Sequence, residues 1–153
     1  MQLKLVWLNC FWLILPLLSW NLLLGSRITD PRITSDAHSP KGLLIAENVA
    51  RVLIFAFPLL ILLQVQDAWS KPGLGVYLIG TLVYFAAWLP LIFAPHSAWS
   101  NSTAGLLAPR LTPFLSFLGI AMIGKSWPYG VLAAIFILLH TWHGIQNLQN
   151  REL

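Results

Sequence analysis

The sequence predicts an all-α integral membrane protein, a bundle of about five transmembrane helices whose fourth span is short or preceded by a re-entrant turn. Two properties point to this class. Of the 153 residues, 58% are hydrophobic and 9% charged, whereas soluble domains are about 45–50% apolar and about 25% charged. The apolar residues also fall in runs close to the roughly 20 that cross a bilayer core of about 30 Å, and the mean hydropathy is +0.74. Such a chain has far more surface to bury than its backbone entropy opposes, which excludes disorder and a water-soluble globule alike.

The spans are expected at 3–25, 43–65, 74–95, 104–124 and 127–147 of a single polytopic domain covering 1–153. The first follows Lys4 and is longer than a signal-peptide core, with no small-residue cleavage site close behind, so it reads as uncleaved. A polar loop from Ser26 to Gly42 separates it from the second; its Arg27, Asp30, Pro31, Asp36, His38 and Pro40 are turn and loop formers. The other connections are short. The fourth span is the irregular one. Started at Ala104 it carries Pro109, Arg110 and Pro113 in its first half, and started at Pro109 it is only about 24 Å long at 1.5 Å per residue. A re-entrant or interfacial turn over Ala104 to Thr112 followed by a short span reconciles these limits. Trp7, Trp20, Trp69, Trp99, Trp127 and Trp142 all fall near span ends, where an amphipathic indole prefers the headgroup region.

Five spans place the termini on opposite sides. Lys4, Lys71 and Lys125 fall on the N-terminal side; Arg27, Arg32, Lys41 and Arg151 fall on the other, with Arg51 and Arg110 nearer to it. The positive-inside rule then puts the N-terminus outside and the C-terminus in the cytoplasm. In that orientation the Asn101-Ser102-Thr103 sequon is cytoplasmic and reads as a chance match.

Several chemistries are excluded. Cys10 is the only cysteine, so the chain contains no internal disulfide, CxxC pair or multi-cysteine zinc site. The net charge of +4 is scattered, which argues against nucleic acid as a partner. No lysine lies mid-span to carry a retinal Schiff base, and Gly73, Gly75 and Gly80 form neither GxGxxG nor a P-loop. No internal repeat supplies the two halves of a conventional transporter.

What remains is a group of polar residues at one depth. Glu47 and Arg51 are spaced i, i+4 on the second span, with Asn48 beside them; His140 and His143 are i, i+3 on the fifth, continued by Gly144 and Asn147. Counting 1.5 Å per residue places Glu47, Arg51 and Arg110 about 6, 12 and 9 Å below the boundary on the C-terminal side. His140 and His143 lie about 20 and 24 Å from Trp127, in the same third of the core. Because an ionisable group in a bilayer needs a partner or a purpose, the convergence suggests one site open to that side. The site would bind or translocate an anionic or amphiphilic small molecule or lipid, with Arg51 and Arg110 holding its anionic head by charge-assisted hydrogen bonds. Glu47 would tune the charge, and His140 or His143 could carry protons.

Other roles fit the same residues. Glu47 and Arg51 can be a self-neutralising pair near the headgroups, with Arg51 snorkelling. His140 and His143, with Glu47 or His96, are suitable ligands for a metal or, through opposed histidines, a haem. The chain can also be an accessory subunit of a larger membrane complex, or a homo-oligomer, packed through the small-xxx-small pair Ala46 and Ala50. No nucleophile marks an enzyme.

Overall fold

Proline position and helix length together decide where each apolar run becomes a helix. The computed structural model describes residues 8–28, 40–66 and 68–149, and within these the protein is all-helical apart from one isolated bridge. In chain order the helices are α1 (Phe11–Leu24), α2 (Lys41–Ala56), α3 (Ser70–Phe93), α4 (Thr103–Leu111), α5 (Pro113–Ile123) and α6 (Trp127–Gln149). Single 3₁₀ turns extend α1 over Gly25–Arg27 and α2 over Phe57–Leu60. Lys4, Trp7, Arg32, Asp36, His38 and Arg151 lie outside the described residues.

Four helical stretches are long and apolar enough to cross a membrane: Lys41–Leu60, Ser70–Phe93, Thr103–Ile123 and Trp127–Gln149. They carry large apolar side chains on their outer faces. Val52, Leu82 and Leu138 are each about two-thirds exposed, a surface suited to lipid rather than water. The bundle therefore has the character of an integral membrane protein. Phe11–Arg27 is a shorter apolar helix of 17 residues.

The first two spans differ from the expected 3–25 and 43–65 for one reason. Pro58 ends α2, and from Ile61 the backbone is extended. Extended backbone in an apolar environment must find partners, and it finds them in the segment just before α1. The Cys10 N–H donates to the Ile61 carbonyl at 2.8 Å, and the Leu63 N–H donates to the Leu8 carbonyl at 3.1 Å. This two-stranded contact stands where the second span was expected to continue and just before α1; residues 3–7 of the expected first span lie outside the described residues.

Pro58 also removes the N–H that would serve the Ile54 carbonyl four residues earlier. That carbonyl accepts from the hydroxyl of the fully buried Tyr129 at 3.2 Å. The fourth span is no re-entrant turn. Ser102 caps it by accepting the Gly105 N–H at 3.0 Å, and α4 and α5 follow each other through Thr112, whose backbone is itself helical. The break falls there because Pro113 has no N–H for the Pro109 carbonyl. The Thr112 hydroxyl donates to the Ala108 carbonyl at 2.8 Å, a back-bond that bends helices.

The core of the bundle is the crossing of α3 with α5. Glycine makes it possible. A Cβ on Gly80 would lie 2.5 Å from the Ser116 backbone nitrogen, and one on Gly119 would lie 2.5 Å from that of Tyr77. At this contact the hydroxyls of Thr81 and Ser116 pair at 3.2 Å. Helix α1 is held on the other side of α3 by two tyrosines. Tyr77 donates to the Leu13 carbonyl at 2.8 Å and Tyr84 to the Asn21 side-chain oxygen at 2.7 Å. Trp20 stacks on Phe85 at 4.1 Å, so it is a packing residue and not an interfacial anchor, unlike the exposed Trp69, Trp99, Trp127 and Trp142.

Two predictions follow from these contacts. Tyr129→Phe should destabilise the protein by about 1–3 kcal/mol by stranding the Ile54 carbonyl; in a Pro58→Ala background, where residue 58 regains its N–H, the same change should cost measurably less. Denaturant unfolding in mixed micelles across the four proteins reads the coupling, and equal costs in both backgrounds would refute the substitution of hydroxyl for amide. Gly80→Ala should cost about 1–3 kcal/mol by overpacking the α3–α5 crossing, measured in the same way, whereas Gly75→Ala, whose Cβ would meet nothing within 4 Å, should be tolerated.

Candidate functional site

The carboxylate of Glu47 sits on the inner face of α2, two turns from its start, and is 1% exposed. Three side chains converge on it. Arg51, one turn further along α2, bonds its Oε1 through Nη2. From α6, His140 Nδ1 lies 2.8 Å from the same Oε1, and His143 Nδ1 lies 2.5 Å from Oε2. A carboxylate oxygen only accepts, so each Nδ1 carries the hydrogen of its bond. The i, i+3 spacing on α6 is what lets the two imidazoles reach the two oxygens of one carboxylate.

The fourth span contributes Arg110, which is 8% exposed. Its Nη1 donates to the His140 backbone carbonyl at 3.3 Å. Gly144 makes this approach possible, since a Cβ there would lie 2.7 Å from Arg110 Cδ and 3.0 Å from its Nε and Nη1. Helices α2, α4 and α6 are thereby joined by one polar assembly, in which two guanidinium charges face one carboxylate. Such an assembly is costly to desolvate, and only its dense hydrogen bonding makes it tolerable at membrane depth.

Five of the residues singled out from sequence are brought together: Glu47, Arg51, Arg110, His140 and His143. Asn147 is buried one turn beyond His143 on the same face of α6. Asn48 is not part of the cluster, because one residue along a helix turns it about 100° away from Glu47, and it lies exposed. His96 lies exposed in the turn after α3. Sequence reasoning missed Phe136, whose ring stacks on His140 at 5.3 Å with 11° between the planes; its i, i+4 spacing was the available signal.

The donor set does not suit a metal. Ligand distances near 2.0–2.2 Å would hold nitrogen and oxygen about 3 Å apart or more around an ion, whereas here both imidazole nitrogens are in direct hydrogen-bond contact with the carboxylate. Arg51 adds a positive charge to the same oxygen. Among the described residues no group of three or more His, Cys, Asp or Glu is arranged to hold an ion.

A groove of about 700 Å³ opens at the other end of α6, bordered by Trp69, Lys125 and Trp127. None of the Glu47 assembly's residues lines it.

Glu47→Ala should cost about 3–5 kcal/mol of stability, because it leaves buried cationic and donor groups without their acceptor. Asn48→Ala, its exposed neighbour, should stay within about 0.5 kcal/mol. Thermal or denaturant unfolding of the purified protein measures both, and similar costs for the two variants would remove Glu47 from the centre of the assembly. Compared with protein-family models, curated proteins and solved structures, the chain matches none.

Proposed function

We propose that the Glu47 assembly is a binding site for the anionic head of a small amphiphile or lipid. The observation that carries this reading is the sharing of one oxygen. Glu47 Oε1 is bonded by both Arg51 and His140, whose side chains are 44% and 23% exposed while the carboxylate is 1% exposed. The buried acid thus fixes a guanidinium and an imidazole side by side at the surface of the bundle. One guanidinium edge is committed to Glu47, and the remaining donors of its five-hydrogen fork are the type that grips phosphate or carboxylate. Arg51 and Arg110 bring two guanidinium groups against the one carboxylate of Glu47, an excess of cationic groups that an anion would offset.

In this reading Arg51 touches the ligand and His140 assists it. Glu47 and His143 position them, and Arg110 adds charge from behind. The amphiphile's apolar body would lie against the exposed faces of α2 and α6, at the bilayer boundary. We take the site to face the cytoplasm, with five spans and the N-terminus outside, on the distribution of lysine and arginine between the two sides. A C-terminal fluorescent reporter that folds only in the cytoplasm should then be bright, and a periplasmic or luminal reporter at the same position inactive.

The binding test uses the full chain in detergent with phosphatidylglycerol as the probe. Arg51→Ala should weaken retention by about tenfold or more, as loss of a charge-assisted contact worth about 1.5–3 kcal/mol implies. Arg27→Ala, at the end of the first helix, should bind like the unaltered protein. Equal retention by the two variants would end the proposal.

A further inference from the structure

A second site, independent of the Glu47 assembly, lies at the opposite end of α6. The groove there has a volume of about 700 Å³, within the range of roughly 300–1,000 Å³ typical of ligand pockets. Its walls are Met122 and Ala121 on α5 and Gly130, Val131 and Ala134 on α6. The small residues keep it open. A Cβ on Gly130 would meet only the Ala121 Cβ, at an ordinary 3.5 Å. From Trp127 to Ala134 the groove runs about 10 Å along the helix, which is the depth occupied by the upper half of an acyl chain.

Its mouth is amphipathic. Trp69 and Trp127 are 67% and 86% exposed and border it, as indoles do at the headgroup level. Lys125 is the charged residue of the lining. Lys125 has φ of 49°, the left-handed conformation that glycine occupies without penalty, while the adjacent Gly124 has an ordinary φ of −83°. The turn therefore places a lysine where backbone preference alone would put the glycine.

From the apolar groove, the indoles at its mouth and the lysine held at its rim, we infer that this face binds an anionic phospholipid. The Lys125 ammonium meets the phosphate and one acyl chain occupies the groove between α5 and α6. Basic residues beside openings between membrane helices recognise anionic headgroups in this manner, and each methylene buried adds to retention.

The test uses the full chain in bilayer nanodiscs with a phosphatidylglycerol that carries a photoactivatable diazirine near the carboxyl end of one acyl chain, and a phosphatidylcholine with identical chains. Labelling should map to residues 118–134 and be about fivefold stronger from phosphatidylglycerol, as one lysine contact implies. Lys125→Gly should erase the headgroup preference while keeping or raising the melting temperature, because glycine is at ease at φ of 49°. Lys125→Arg should keep the preference. Ala134→Trp should remove the label by filling the groove. Arg51→Ala should leave it intact, so that failure of the Glu47 site and failure of this one are told apart. Equal labelling by the two lipids, a label indifferent to Ala134→Trp, or loss of label in Arg51→Ala overturns the assignment. So does a cross-linked dimer through 118–134 without lipid adduct, which would give the groove to a second copy of the chain.

Discussion

The bundle depends on one buried carboxylate. Glu47 is the only acidic side chain among the described residues, and it lies buried in a helix whose outer face is largely apolar, with Asn48 and Arg51 exposed. A lone carboxylate at that depth would be unsatisfied in hydrocarbon. Its neutralisation requires α6 to stand with its two imidazoles facing α2, which fixes both the rotation of α6 and its height against α2. Arg110 then joins α4 to the same point through the His140 carbonyl. Hydrophobicity brings these helices together without choosing among faces; the hydrogen bonds of Glu47 choose.

The second constraint is the backbone. Proline breaks two of the apolar stretches, at Pro58 and Pro113, and in lipid each freed group must be served by protein. The solutions differ with the surroundings. Tyr129 supplies a hydroxyl where Pro58 removed an amide, the Thr112 hydroxyl adds a second bond to the Ala108 carbonyl beside the break at Pro113, and Leu8–Cys10 pairs with Ile61–Leu63 where α2 ends. The first and last of these lie between residues far apart in the chain, so they hold α1, α2 and α6 in register as well as satisfying polar groups.

Much of this arrangement was legible in the sequence. Hydropathy marked four runs that the structure makes long apolar helices, the first of them ending at Leu60 rather than 65, because a bilayer imposes a length that a sequence shows directly. Spacing of three and four residues put Glu47 with Arg51 and His140 with His143, and depth counting matched their levels. Depth does not give direction around the helix, so Asn48 was grouped with Glu47 although it points outward. The exchange between residues 8–10 and 61–63 was hidden because hydropathy does not distinguish an extended apolar segment from a helical one. Gly80 and Gly119 gave no sign of their crossing, since each glycine's meaning lies in the partner backbone, 35 or more residues away. The groove was invisible for a related reason: its residues read as ordinary lipid-facing apolar positions, and only the gap between α5 and α6 gives them a shape.

The separation of Glu47 from its histidines also bears on the order in which the chain is made. His140 and His143 follow it by 93 and 96 residues, about 5–20 s of synthesis at ordinary rates. During that interval α2 must enter the bilayer without them, and Arg51, four residues along the same helix, is the partner already present. The ion pair within α2 is thus a temporary chaperone to the carboxylate, and α6, made later, takes up the bonds that α2 had to leave open.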